Sequence, residues 1–123
     1  MTTDLPVAAL KAEFFKALAH PIRVRALEKL VDGEQSVGEL ADLLDLEVTQ
    51  LSQQLAVLRR ANVVATRRDG NTIYYSVGDP RLSQLLAVAK QLLMTKLEDS
   101  RTILVSLEEE GSRAGRTATA PLQ

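Results

Sequence analysis

A chain of 123 residues, 46% hydrophobic and 25% charged, has the content of one folded domain and little more. It has no cysteine and one histidine, which excludes disulfides, thiol redox switching and thiolate metal sites. No apolar run approaches the roughly 20 residues that span a bilayer, and the first eleven residues lack a basic flank before an apolar core, so neither a membrane helix nor a signal peptide is expected and the cytoplasm is the expected location. Aromatic residues make up 3%, so the core must be aliphatic. The net charge of −1 hides an uneven distribution. No acid occurs between Val48 and Arg68, a stretch that holds Arg59, Arg60, Arg67 and Arg68. A basic local surface on an acidic chain is enough to steer toward phosphate.

In chain order, residues 1–6 read as a loose arm. Val7, Leu10, Phe14 and Leu18 stand at helical spacing and predict a first helix over residues 7–18. Pro21 suits a first helical turn, and Ile22, Ala26, Leu27 and Leu30 mark a second helix that ends near Gly33. Ser36 with Glu39 three residues on forms a capping box, and Leu40, Leu43 and Leu44 give the third helix its buried face. After the break at Asp45-Leu46-Glu47, a fourth helix carries Leu51, Leu55 and Leu58 inward, with Asn62 as a left-handed cap. Residues 63–68 and 72–77 alternate as strands about an Asp69-Gly70-Asn71 turn. From Asp79-Pro80 a long amphipathic helix runs to about residue 110, roughly 42 Å. Residues 111–123 read as a disordered tail.

Helix, turn, helix and basic hairpin describe a mainly α chain with a small β-hairpin, a winged helix-turn-helix. The fourth helix is then the reader of DNA. Thr49, Gln50, Gln53 and Gln54 face outward near its start, and the Gln amide can pair with adenine N6 and N7. Ser52 can bond a phosphate. Arg67, Arg68 and Asn71 form the wing, and Arg59 and Arg60 end the reading helix, where cations are also favoured by the helix dipole. The last helix is too long for so small a domain to cover. Its stripe of Leu82, Leu86, Ala89, Leu93 and Leu97, with Val7, Leu10 and Phe14 of the first helix, predicts a homodimer. No nucleophile–base pair or phosphate-binding glycine loop is visible, so an enzyme is not expected.

From residue 8 to about 95 the chain resembles the bacterial ArsR/SmtB repressor family. The resemblance rests on Leu18-Ala19-His20-Pro21-Ile22-Arg23, Glu39-Leu40-Ala41, Leu55-Ala56-Val57-Leu58-Arg59-Arg60 and the hairpin. It implies a dimeric repressor joined through its first and last helices, bound to an imperfect palindrome of double-stranded DNA and released by an effector. Many members carry Ser at the position of Glu47, His at that of Gln54 and Gly at that of Asn62. The family's metal sites use either cysteines, where this chain has Ala41, Asp42 and Leu43, or an Asp-x-His pair with two later histidines, where it has Asp79, Arg81, Leu92 and Thr95. Neither set is present, so no cofactor is expected. Weak oxygen-rich metal binding through Asp79 or Glu98, with His20, is the residual alternative. Two further readings stay open: a dimeric protein-interaction module that has lost DNA binding, for which Glu47 speaks, and an effector-free architectural DNA binder.

Overall fold

The computed structural model describes the backbone of residues 4–119 and the side chains of residues 6–112. Its elements follow in the order α1 (Asp4–Leu18), α2 (Pro21–Leu30), β1 (Gln35–Ser36), α3 (Val37–Leu44), α4 (Val48–Arg60), β2 (Val64–Asp69), β3 (Thr72–Val77) and α5 (Arg81–Thr119). The chain divides into two units, Met1–Gln84 and Leu85–Gln123. The first contains the core, and the second continues α5.

Local chemistry sets the helix boundaries in the first unit. Pro21 occupies the first turn of α2, where its missing N–H is no loss. His20 caps that turn: its Nδ1 accepts from the Ile22 N–H at 3.1 Å. Ser36 and Glu39 form the expected reciprocal box, each bond 3.2 Å long. Helix α3 ends at Asp45, which takes the left-handed conformation with φ 55°. Asn62 does the same after α4 with φ 59°, as its short polar side chain allows.

The buried set is wholly aliphatic among the described residues. Ala26, Leu27 and Leu30 of α2 meet Leu40, Ala41 and Leu44 of α3 and Leu51, Leu55 and Leu58 of α4. Ala17 of α1, Val63, Val64 and Leu82 complete the set. Each fully buried Leu contributes about 1.5–3 kcal/mol through the apolar surface it removes from water. Leu43 is not among them: it is 54% exposed, and Ala41 takes the place expected of it. Leu40, Ala41 and Leu44 share one arc of the helix, and Leu43 lies off its edge at 100° per residue.

The wing hairpin, β2 and β3, belongs to a three-stranded antiparallel sheet ordered β1-β3-β2, one strand more than the expected two-stranded hairpin. Strand β1 pairs Gln35 with Tyr75 and Ser36 with Tyr74. Two residues are too few to show an alternating pattern, so β1 left no periodic signal. Strands β2 and β3 pair from Val64↔Val77 to Asp69↔Thr72, which leaves Gly70-Asn71 as a two-residue loop. Gly70 supplies the positive φ, 63°, that such a hairpin turn requires.

Both ends are more helical than expected. Helix α1 starts at Asp4, so residues 4–6 of the expected arm are helical. Pro6 falls in the first turn, where backbone N–H groups have no helical partner. Residues 1–3 lie outside the described residues. Helix α5 runs to Thr119, nine residues beyond the expected end and through most of the expected tail. Gly111 and Gly115 each cost about 1 kcal/mol in a helix, but the first proline after Pro80 is Pro121, and Ala and Arg residues between favour the helix. At 39 residues α5 is roughly 58 Å long. Residues 120–123 lie outside the described residues.

This burial pattern separates two leucines of similar sequence context. Leu55→Ala should cost about 2–5 kcal/mol of unfolding free energy, whereas Leu43→Ala should stay within roughly 0.5 kcal/mol. Urea denaturation of both variants checks this, and equal losses would contradict the orientation given to α3.

Candidate nucleic-acid interface

Helix α4 is amphipathic because its leucines recur at positions 51, 55 and 58, and all three are fully buried. At 100° per residue the opposite face is the stripe Thr49, Gln53, Ala56 and Arg60, with Gln50 on one flank and Ser52 and Arg59 on the other. Thr49, Gln50, Gln53, Arg59 and Arg60 are exposed, and Ser52 is half-buried. The helix start carries Glu47 as its cap residue, without a side-chain cap bond. The side chains expected to read base edges therefore stand together near the N-terminal half, as proposed from the sequence, with one exception.

The exception is Gln54. Its Oε1 accepts a 2.9 Å bond from Arg23 Nε, and it is half-buried between α4 and α2. The geometry follows from spacing: Gln54 stands three residues after Leu51 and four before Leu58, which places it beside the buried stripe. That spacing is legible in the sequence.

The arginines differ from one another. Among the described residues, Arg59, Arg60 and Arg68 form no ion pair and no side-chain hydrogen bond. Arg67 is tied down. Its guanidinium meets the Glu34 carboxylate at 2.6 and 3.0 Å and lies 4.8 Å over the Tyr74 ring, its cross-strand neighbour. A weaker contact to Asp69 spans 3.9 Å. The hydrogen bond and charge of Arg67 hold the Glu34 carboxyl below its usual range, and Glu34 in turn strengthens protonation of Arg67. Arg67 thus anchors the wing to the segment before α3, and Arg68 is the cation the wing presents freely. Asn71 is exposed at the tip. Glu34 left no mark in the sequence reading, because the pairing depends on a strand register that β1 alone reveals.

Two of the three candidate metal ligands, His20 and Asp79, have other partners. His20 Nδ1 caps α2. Asp79 opens α5: its carboxylate accepts from the Arg81 backbone N–H at 2.9 Å and from the Arg81 guanidinium at 2.6 Å. Among the described residues no three His, Cys, Asp or Glu side chains converge as an ion site. Glu98 lies exposed on α5.

The residues expected at a dimer interface divide as well. Leu82 is 6% exposed and belongs to the core of the first unit, so it is not free for a partner. Phe14 and Leu86 are half-buried and Ala89 is exposed. Val7, Leu10, Leu93 and Leu97 stand 50–70% exposed. No helix among the described residues is long and apolar enough to cross a membrane.

Two packed helices joined by a tight turn, followed by an arginine-edged hairpin, define a winged helix-turn-helix protein. A family model for bacterial regulatory proteins of the arsR family matches residues 20–66. An uncharacterized HTH-type transcriptional regulator of Mycobacterium tuberculosis, Rv0081, is 54% identical over 108 residues, covering 87% of this chain and 95% of that one. The crystal structure of Rv0081 superposes with a TM-score of 0.71 at 56% identity, over 77% of this chain and 96% of that one. A biofilm growth-associated repressor of Agrobacterium fabrum is 39% identical over 89 residues, 68% of this chain and 76% of its own. A homodimeric winged helix-turn-helix DNA-binding domain of Mycobacterium bovis, 27% identical, superposes with a TM-score of 0.70 over 78% of this chain and 89% of that one. The chain belongs to the ArsR family of bacterial transcriptional regulators, which is a non-enzymatic class.

The Asp79–Arg81 pair sets a pH dependence at the start of α5. The Arg81 guanidinium, and then its backbone N–H, pull the Asp79 carboxyl from 3.8 down to about 2. A depressed carboxyl contributes its stabilisation above the unfolded value and loses it as pH falls through the folded one. The cap should therefore be intact above about pH 4 and lost near pH 2. Carbon-detected NMR titration should place Asp79 near 2 in the wild type, and higher in Arg81→Ala. An ordinary midpoint in the wild type would show the pair does not persist in solution.

Proposed function

We propose that the protein is a homodimeric, sequence-specific DNA-binding repressor that recognises an imperfect palindrome. The observation that carries this reading is the division of α4: leucines locked inward, and Thr49, Gln50 and Gln53 exposed together on the outer side. In this reading those three side chains meet base edges in the major groove, where an amide pairs with adenine and a hydroxyl serves any base. Ser52, Arg59, Arg60 and Arg68 meet phosphates, and Asn71 lies at the tip of a wing that follows the adjacent backbone. Arg67 orients that wing through Glu34 and contributes less charge to DNA than Arg68. The repressor reading is supported by the Agrobacterium fabrum relative, and the dimer by the Mycobacterium bovis neighbour.

The apolar surface of the helices supports assembly too. Leu93, Leu97, Leu104 and Leu107 are 56–64% exposed along α5, and Leu10 of α1 is 70% exposed. Leu86 and Leu93 stand seven residues apart, as do Leu97 and Leu104, and Leu107 follows Leu93 by fourteen with Ser100 between, a spacing that suits helix-on-helix packing. A stripe of this kind is stable in water when a second copy covers it. The dimer then presents its two copies of α4 to successive major grooves about one turn, ~34 Å, apart. The effector is of another class than the family's thiolate or histidine metal sites, whose ligand positions hold other residues here.

DNA affinity should fall roughly 10³- to 10⁵-fold between 50 and 200 mM salt if the dimer makes on the order of 6–10 phosphate contacts. Arg68→Ala should weaken binding to all duplexes alike and reduce the salt slope by about 1 for each contact removed. Arg67→Ala should reduce it less, since Glu34 already balances that charge. Fluorescence anisotropy across a salt series measures both slopes. A flat response in the wild type would favour the protein-interaction module instead.

A further inference from the structure

Arg23 stands in an unusual place for a cation. It is the third residue of α2, in the helix's first turn, where the dipole disfavours positive charge and no acid offsets it. Its orientation is fixed by the two residues that set that turn, the His20 cap and Pro21. Its guanidinium joins two other helices. Nη1 donates to the carbonyl oxygens of Ala17 at 3.1 Å and Lys16 at 3.4 Å in the last turn of α1, where the Lys16 carbonyl also accepts from the Ala19 N–H at 3.1 Å. Nε donates to Gln54 Oε1 of α4 at 2.9 Å. A planar guanidinium presents its donors in a rigid fork, so the two sets of bonds fix the end of α1 against the middle of α4. A second arginine of α2 acts on α3 in the same way: Arg25 Nη2 donates to the Leu44 carbonyl at 2.9 Å, at the last residue before the turn.

We infer that Arg23 and Gln54 are positioning residues that set the pose of the recognition helix α4 against α1, and that Gln54 does not read bases. This rests on the proposed dimer, in which α1 lies at the subunit interface. The spacing of the two copies of α4 is then transmitted through one side-chain link on each side. Sequence-specific binding requires that spacing, whereas non-specific attraction to phosphate tolerates its loss. Loss of either partner of the link should therefore reduce specific affinity and leave non-specific affinity nearly unchanged.

The test compares wild type with Arg23→Met, Gln54→Met, the double variant, and Gln54→Glu, which keeps the acceptor oxygen. Each is measured on the duplex that wild type selects from a random pool and on an unselected duplex, and each is put through the same selection. Both single variants and the double should lose specific affinity by the same amount, roughly 2- to 30-fold, the range of coupling through a hydrogen-bond network. Gln54→Glu should stay close to wild type, and every variant should select the wild-type bases. The Gln54 side-chain amide resonance should shift in Arg23→Met without DNA present, which tests the link whether or not the chain selects a sequence. Additive losses, an unshifted Gln54 amide, or a changed base preference in Gln54→Met that Arg23→Met does not share would overturn the inference.

Discussion

The burial of Leu51, Leu55 and Leu58 against the leucines of α2 and α3 is the constraint on which the rest depends. These side chains are fully shielded from water. Rotating α4 by one residue, 100°, would turn them toward water and carry Ser52 and Arg59, or Gln50, inward, at a cost of several kcal/mol for lost burial and unpaired polar groups. The rotation of α4 is therefore set by the core, and the identity of its outward face follows from it. Aromatic side chains dominate the energetics of many protein cores. Here leucine, valine and alanine suffice, because three short helices share one small cluster.

Polar links refine what the core fixes. Arg23 and Arg25 extend from α2 to α1, α3 and α4, and each meets carbonyls at or near a helix end. On the other side of the domain Arg67 joins the wing to Glu34, so the hairpin is held at its base while Arg68 and Asn71 extend outward. Asp79 and His20 show the same economy at helix starts, each accepting a backbone N–H. At Asp79 the cap is reinforced by charge, since the Arg81 guanidinium meets the same carboxylate at 2.6 Å.

Much of this was legible in the sequence, and the reasons for the rest are physical. Capping at Ser36 and Glu39, the proline at the start of α2 and the left-handed Asn62 are local effects, so local sequence reveals them. The leucine period of α4 is local too. The bonds of Gln54 and Arg67 are not local: Gln54 bonds a residue 31 positions away and Arg67 one 33 positions away, so sequence shows that Gln54 borders the buried stripe but not what it meets. Strand β1 exists only because β3 offers it two ladder positions, so no pattern within Gln35-Ser36 could show it. Leu82 continued the periodicity of α5 into the first unit, where it joins the core instead of the exposed stripe. The far end of α5 was cut short because two glycines outweighed a run that contains no proline.

The central claim is that the outward face of α4 works in pairs held one helical turn apart. Selection from random duplexes, run in parallel on wild type and on Leu93→Glu, tests it most directly. A charge at Leu93 places a carboxylate in the apolar stripe of α5 and should leave a monomer by sedimentation. Wild type should return two inverted half-sites centred about 10 base pairs apart, while Leu93→Glu should return a single half-site or none. Recovery of one undivided site by both proteins, or a wild type that is monomeric while bound, would contradict the account.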